Sequence, residues 1–291
     1  MHILDWIIMI VPFLAVLGLA IYAKRYARDV VDFLAAGRVA GRYVMCVGDL
    51  ATALSVITLV ASFEATYKAG CTGFETDIHI TSDGQYVIMH DHTLERMTDG
   101  KGRIEQTQSS YIRTLKTKGG RPVLFLDELL AFFKECPPGL YVEFEMKTNE
   151  QDYPEALLQK YCEDVYAKVT AVKEEGDLFL FTSFDPRPLL YLRAHHPDAE
   201  VMLIIGKPCT HEAVDMVKMM GLHRLAATIN ATSREAVKYA HDKGVIVNLW
   251  PGNTVEDTHL GALLGADHLC TDIPLEVMRY IEDHHLDIRS R

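Results

Sequence analysis

Short apolar segments with strand character alternate with amphipathic helical segments from Cys71 to the end of the chain. Strands and helices that alternate at this spacing are typical of a parallel sheet covered by helices. About seven parallel strands can be counted, from 73–80 to 268–272, when an antiparallel partner at 86–90 is set aside. The pattern therefore predicts an α/β fold, and specifically a TIM-type (β/α)₈ barrel.

The length of this region conflicts with a complete barrel. A closed (β/α)₈ barrel needs eight strands and usually about 250 residues, and residues 71–291 fall short of that. Two interpretations are open. Either the barrel lacks its usual first strand, or residues 45–49 supply that strand from the preceding segment.

The N-terminal part of the chain has a different composition. Residues 6–23 contain no charged side chain, and a run of roughly 18 apolar residues is just long enough to cross a bilayer. Lys24 and Arg25 come directly after the run, whereas Asp5 precedes it. We therefore predict a transmembrane helix at 6–23 with its N-terminus outside and its Lys24 end in the cytoplasm.

A second apolar run at 43–61 carries one charge, Asp49. A charged side chain at membrane depth costs free energy but is sometimes retained for function. This run is either a second span or a soluble helix packed on the barrel. One span leaves the C-terminal part in the cytoplasm and two return it outside. The predicted localisation is thus the membrane, on either side, with a membrane segment at 1–61 and a barrel at 62–291.

Charge and hydrophobicity narrow the function classes. The chain has 40 acidic and 29 basic residues and a net charge of -11, which argues against a nucleic-acid partner because such proteins normally present a basic face. Hydrophobic residues make up 49% of the chain, which excludes an intrinsically disordered protein. A small-molecule ligand is the expected partner.

Charged side chains occur at alternate positions within otherwise apolar strands. Glu75 and Asp77 lie on one side of the strand at 73–80, and Glu143, Glu145 and Lys147 on one side of the strand at 140–147. In a barrel the reactive residues lie at the C-terminal ends of the strands. Carboxylates on neighbouring strands suit a hard cation such as Ca²⁺ or Mg²⁺.

Two further side chains complete the predicted chemistry. Lys147 would contact a phosphate, and His90, at the end of the segment 86–90, would act as an acid–base group.

Several motifs, taken together, resemble the glycerophosphodiester phosphodiesterase family. They are an E-x-D strand (Glu75, Asp77), a strand ending in His90 and Asp91, a T-x-x-R-x-T-x-G loop (Thr93, Arg96, Thr98, Gly100), an E-x-K strand (Glu145, Lys147), and the segments FTSFDP (181–186), LWPGNT (249–254) and CTDIP (270–274). The resemblance covers about 220 residues, and no single motif would carry it.

The resemblance implies a metal-dependent enzyme on a TIM barrel that cleaves glycerophosphodiesters to sn-glycerol 3-phosphate and an alcohol. It assigns the cation, Ca²⁺ or Mg²⁺, to three carboxylates, and it makes His90 one of two catalytic histidines. Lys147 would be catalytic and contact the phosphate, and Trp250 would line the pocket for the glycerol portion. The three implied metal ligands are Glu75, Asp77 and Glu145.

One part of the family pattern is missing. The family begins with an H-R-G strand and an E-N-T helix start, and at the usual spacing these positions fall on Gly48, Asp49 and residues 57–59. Residues 32–44 instead resemble the start of a sodium:solute symporter, although the chain has no further apolar runs that would make it a transporter. Two hypotheses remain: a phosphodiesterase, active or impaired, and a catalytically inactive membrane-tethered phosphoester-binding or remnant fusion protein.

Overall fold

A computed structural model describes residues 67–68 and 70–283 of the chain. In this part, eight strands form one sheet in the order β2-β1-β3-β4-β5-β6-β7-β8. The strands are β1 (Gly73–Ile80), β2 (Tyr86–Ile88), β3 (Tyr141–Met146), β4 (Leu178–Ser183), β5 (Glu200–Pro208), β6 (Arg224–Thr228), β7 (Ile246–Trp250) and β8 (His268–Leu269). All neighbouring pairs are parallel except β1 and β2, as the sequence predicts.

Eight α-helices accompany the described strands. They are α1 (Ser109–Ile112), α2 (Leu126–Glu135), α3 (Glu155–Thr170), α4 (Pro186–His195), α5 (His211–Met219), α6 (Arg234–Asp242), α7 (Val255–Leu264) and α8 (Pro274–Asp283). A 3₁₀-helix at Ile104–Gln106 and the single turn α1 lie in the long connection between β2 and α2. The sequence predicts a loop at 93–100 in this connection and no helix, so the 3₁₀-helix and α1 are additions that the structure makes.

Polar residues at the strand-to-helix junctions fix where several helices begin. The side chains of Thr210, Ser233 and Thr254 each accept a hydrogen bond from a backbone N–H in the first turn of the next helix. Asp185 does the same before α4. These caps satisfy N–H groups that have no partner inside the helix, and so they set the length of the loops at the C-terminal ends of the strands.

The strands separate two layers of apolar packing. Phe144, Phe181, Val201 and Leu225 belong to the large cluster that also includes buried residues of the helices. The alternate residues of the central strands form a smaller cluster on the other face, with Tyr141 and Trp250 packed against it. Side chains that alternate between two buried faces are what a helix-covered barrel requires.

A hydrogen bond shows that the sheet curls. Asn248 on β7 donates from Nδ2 to Glu143 Oε1 on β3 at 2.6 Å, although three strands stand between them in the sheet. Side chains of strands so far apart meet only across the interior of a rolled sheet. The described strands therefore form a barrel-type wall, in agreement with the predicted fold class.

The edges of the described sheet leave the first barrel strand undecided. Among the described residues, the strand that pairs with β2 is β1, at Ile78–Ile80, apart from a single bridge from Val87 to Phe125, and the strand that pairs with β8 is β7. Residues 45–49, one candidate for the strand between β1 and β8, lie outside the described residues, as do both predicted spans, 6–23 and 43–61. No helix in the part that the structure describes combines the length and apolar character needed to cross a membrane.

Candidate active site

Strand register brings the predicted metal ligands together. On the paired strands β1 and β3, Asp77 stands directly opposite Glu145, and Glu75 stands opposite Glu143. The ligand oxygens of Glu75, Asp77 and Glu145 lie within 4.8 Å of one another. All three predicted ligands thus converge at one place on two neighbouring parallel strands, with Glu75 and Asp77 on β1 and Glu145 near the end of β3.

Lys147 lies directly against these carboxylates. Its Nζ is 2.9 Å from Asp77 Oδ1 and 2.7 Å from Glu145 Oε1, and its side chain is only 12% exposed. Burial by itself would lower the pKa of Lys147, but the charges and hydrogen bonds of the two carboxylates raise it above its usual value. The lysine is therefore a fixed positive charge beside the carboxylates.

The electrostatics of the cluster fit a divalent cation. Burial and the neighbouring Asp77 and Glu145 raise the pKa of Glu75 well above its usual value. Burial and the charge of Asp77 raise the pKa of Glu145 to about 7. Glu75 Oε1 is buried and has no hydrogen-bond partner among the described residues. The single ammonium group of Lys147 cannot neutralise all three clustered carboxylates. Carboxylate oxygens are the donors that Ca²⁺ and Mg²⁺ prefer.

His90 lies in an exposed loop two residues after β2, the antiparallel partner of β1. Its side chain is 57% exposed. His90 Nδ1 pairs with Asp91 Oδ1 at 2.9 Å, and Arg96 donates to both Asp91 oxygens at 2.6 Å. Such a partner orients an acid–base histidine. The hydrogen bond holds Nδ1 and leaves the other ring nitrogen, Nε2, pointing away from Asp91.

An aromatic pair forms the apolar part of the site. The ring of Trp250, at the end of β7, meets that of Phe184 edge to face at 5.7 Å between centroids, and Lys147 Nζ lies 5.9 Å from the centre of the Phe184 ring. Phe184 is 46% exposed. We predicted Trp250 but not Phe184. The sequence signal for Phe184 was its position directly after β4, at the strand end where reactive residues gather.

Glu143 does not join the metal cluster, although it alternates with Glu145. Tyr141 Oη donates to its Oε1 at 2.6 Å, and Asn248 Nδ2 donates to the same oxygen. Burial raises the pKa of Glu143 to about 7, and the two hydrogen bonds only partly offset that effect. Glu143 therefore belongs to a buried polar network in the barrel interior, and sequence reasoning missed Asn248 as its partner.

One surface groove in the described part of the chain has none of these groups in its lining. It has a volume of about 350 Å³ and is lined by residues of α3 and β4 and by Glu200, among others. The candidate site residues lie instead on or shortly after β1, β2, β3 and β7. The positions Gly48, Asp49 and 57–59, where the family's other catalytic residues are expected, lie outside the described residues.

Fold and site together define a class: a barrel-type α/β protein with clustered carboxylates that could hold a metal ion. The model of the "Glycerophosphoryl diester phosphodiesterase family" matches residues 59–276. The chain belongs to this family, and its enzyme class is that of the glycerophosphodiester phosphodiesterases.

Curated relatives agree with this assignment. Mouse "Glycerophosphodiester phosphodiesterase 1" is 33% identical over 247 residues, which cover 73% of this chain and 74% of the relative. The human protein of the same name is 34% identical over 111 residues, and that match spans only 34% of its length.

Solved structures show the same fold. A glycerophosphoryl diester phosphodiesterase structure from Silicibacter pomeroyi superposes with a TM-score of 0.68 at 25% identity, covering 77% of this chain and 88% of that one. A phosphodiesterase from Oleispira antarctica, solved with its product sn-glycerol-3-phosphate, has a TM-score of 0.69 at 20% identity, covering 77% of this chain and 90% of that one. At 20% identity, the similarity to the Oleispira antarctica structure supports the fold alone.

Proposed function

We propose that this chain hydrolyses glycerophosphodiesters to sn-glycerol 3-phosphate and an alcohol, with a divalent cation, Ca²⁺ or Mg²⁺, held by Glu75, Asp77 and Glu145. The observation that carries the proposal is the convergence of these carboxylates, on the neighbouring strands β1 and β3, with Lys147, the residue after β3. When bound, the cation would supply Lewis-acid stabilisation of charge on the phosphoryl oxygens.

The protein groups have separable roles in this reaction. Lys147 neutralises negative charge that builds on the phosphate, because its ammonium is buried and fixed by two carboxylates. His90, held by Asp91 and Arg96, transfers a proton at the scissile ester. Trp250 and Phe184 provide an apolar surface for the carbon atoms of the glycerol portion.

The missing His-Arg-Gly motif bears on the rate. The family pattern places a second catalytic histidine and a phosphate-binding arginine where this chain has Gly48 and Asp49. A positioned acid–base group contributes roughly 10²–10⁴-fold to the rate. We therefore propose hydrolysis at a reduced level. The second candidate, favoured by the same two positions, is a catalytically inactive phosphoester-binding protein.

Hydrolysis by the purified full chain separates these candidates. Glycerophosphocholine is incubated with the chain in Ca²⁺ or Mg²⁺, and choline and glycerol 3-phosphate are measured. An active enzyme should give cation-dependent release that falls strongly in Glu145→Gln and persists in Glu135→Gln, an exposed carboxylate on α2. No release above background, together with calorimetric binding of glycerol 3-phosphate, supports the binding protein instead.

The membrane assignment is also a proposal. The uncharged run at 6–23, bordered by Lys24 and Arg25, supports one anchoring helix, and the run at 43–61 supports either a second span or a packed soluble helix. Fractionation with alkaline extraction tests membrane attachment, since an integral protein stays in the pellet. Protease protection of a C-terminal tag in sealed vesicles then distinguishes one span from two.

A further inference from the structure

A second cluster of ligand-type side chains lies beyond the carboxylate site. His79 is the penultimate residue of β1, His92 lies in the loop after β2, and Glu105 lies in the 3₁₀-helix. His79 Nδ1 is 2.7 Å from Glu105 Oε1, and His92 Nδ1 is 3.6 Å from the same oxygen. The two imidazole rings meet edge to face at 4.9 Å between centroids.

The cluster contains polar atoms that the protein leaves unsatisfied. His79 Nε2, His92 Nδ1 and Glu105 Oε2 are buried and have no hydrogen-bond partner among the described residues. The side chains of His79 and Glu105 are 0% and 4% exposed. Buried polar atoms in native proteins are almost always paired with protein, water or an ion. Three such atoms in one cluster indicate that something other than protein completes it.

The composition of the cluster indicates which ligand it takes. Two imidazoles and one carboxylate are the donor set of transition-metal sites with three protein ligands, whereas Ca²⁺ and Mg²⁺ prefer oxygen alone. The donors around tetrahedral Zn²⁺ lie roughly 3.3 Å apart. Glu105 Oε1 lies 2.7 Å from His79 Nδ1 and 3.6 Å from His92 Nδ1, and the ligand atoms of all three residues lie within 4.8 Å of one another.

We propose that His79, His92 and Glu105 form a transition-metal site, with Zn²⁺ as the expected ion, that fastens the loop carrying His90 to the end of β1. The site is separate from the carboxylate cluster and does not depend on the proposed hydrolysis. Solvent supplies the fourth ligand, because the His92 side chain is 39% exposed.

The surroundings of Glu105 favour a charged ligand. Burial alone would raise the pKa of Glu105, but the neighbouring His79 and His92 imidazoles lower it to about 2. Tyr153 Oη donates to Glu105 Oε1 at 3.3 Å and accepts from the N–H of Ile80. The carboxylate is therefore ionised and held in place, as a metal ligand with a supporting outer partner is.

The fastening role depends on where the three residues sit in the chain. His79 belongs to the sheet, whereas His92 and Glu105 belong to the long connection between β2 and α2. His92 is two residues beyond His90. A metal bond between sheet and connection would restrict the loop that positions the His90 imidazole.

Metal retention by the full chain tests the proposal. The chain is stripped with a chelator, reconstituted with Zn²⁺, and dialysed against excess Mg²⁺ before elemental analysis. We expect about one retained equivalent of Zn²⁺, loss of that equivalent in His92→Asn and Glu105→Gln, and retention in Glu145→Gln and in His195→Asn, an exposed histidine on α4. Because His92 is partly exposed, its substitution leaves the core intact.

Two spectroscopic measurements complete the test. Co²⁺ in place of Zn²⁺ should give the intense visible absorption of a tetrahedral site in the wild-type chain and in Glu145→Gln, but not in His92→Asn. Zn²⁺ should also slow amide hydrogen exchange across residues 89–106. The proposal is overturned if Zn²⁺ is not retained, if His92→Asn retains it as the wild type does, or if only Glu145→Gln loses it. Unchanged exchange in a chain that retains Zn²⁺ overturns the fastening role.

Discussion

Lys147 Nζ lies 2.9 Å from Asp77 Oδ1, although Asp77 lies on β1 and Lys147 directly follows β3. The same nitrogen lies 2.7 Å from Glu145 Oε1. A single buried ammonium group thus joins the E-x-D and E-x-K motifs into one site. This relationship makes Lys147 the group whose removal should affect the reaction most directly.

The first prediction concerns Lys147→Met, which keeps the length of the side chain and removes its charge. We expect kcat for glycerophosphocholine to fall roughly 10²–10³-fold, as it does when one preorganised electrostatic donor is lost. Steady-state hydrolysis in saturating Ca²⁺ or Mg²⁺ measures the change. Lys160→Met, an exposed lysine paired with Asp164, should leave kcat unchanged. An equal kcat for Lys147→Met and wild type would contradict the assigned role.

The second prediction concerns the bond across the barrel from Asn248 to Glu143. Both residues are buried, at 2% and 5% exposure, so Asn248→Leu leaves a carboxylate without one of its two donors. We expect a loss of about 1–3 kcal/mol in the free energy of unfolding, measured by urea denaturation. Gln159→Ala removes an exposed amide hydrogen bond to Glu155 and should change stability by less than about 0.5 kcal/mol.

The third prediction concerns Gly100 in the loop after Arg96. A Cβ atom at this position would lie 2.3 Å from Cδ1 of Leu115, whose side chain is buried. Gly100→Ala should therefore cost about 1–3 kcal/mol through overpacking. A Cβ atom at Gly206 would meet nothing within 4 Å, so Gly206→Ala is the matched control. Thermal denaturation compares the two, and equal melting temperatures would show that Leu115 can move without cost.

The fourth prediction is a pH dependence at Asp83 in the turn between β1 and β2. Hydrogen bonds from Ser109 and Thr81 lower the pKa of Asp83 from 3.8 to about 2. The folded pKa lies below the unfolded one, so the stabilisation is present above about pH 4 and is lost as the pH falls towards 2. Asp83→Asn should cost about 1 kcal/mol at neutral pH, a figure discounted for the solvent exposure of Asp83.

Denaturation of wild type and Asp83→Asn at several pH values checks this prediction. The difference in unfolding free energy should shrink steadily between pH 4 and pH 2. Asp242→Asn, which removes an exposed ion pair with Lys238, should show a difference of less than about 0.5 kcal/mol at neutral pH. A difference between wild type and Asp83→Asn that stays constant down to pH 2 would rule out the proposed cause.

Much of the barrel could be predicted because its signals are local. Alternation of apolar residues in segments such as 140–147, with helical periods after them, identifies strands and helices without knowledge of their neighbours. The predicted strand at 73–80 coincides with β1, and that at 140–147 differs from β3 by one residue at each end. The single turn α1 and the 3₁₀-helix were missed, because tertiary contacts such as Ser109 with Asp83 hold them.

The charged residues of the candidate site were predicted from the sequence, but their hydrogen-bond partners were not. Charged residues are unusual within apolar strands, and this pattern identified Glu75, Asp77, Glu145 and Lys147. The structure brings these four side chains together. Their roles in catalysis and the span at 6–23 stay predictions. The partners that come from distant strands or loops were not identified from sequence, notably Asn248.

By itself, then, the sequence determined the type and order of the elements and the charged residues that face inward from β1 and β3, because both depend on local periodicity. Only the tertiary structure decided that Glu143 turns from the metal cluster to Asn248 and that His79, His92 and Glu105 meet. The physical reason is that register, sheet curvature and loop packing set distances between side chains far apart in the chain, and those distances determine whether a charged group is paired, bound or left unsatisfied.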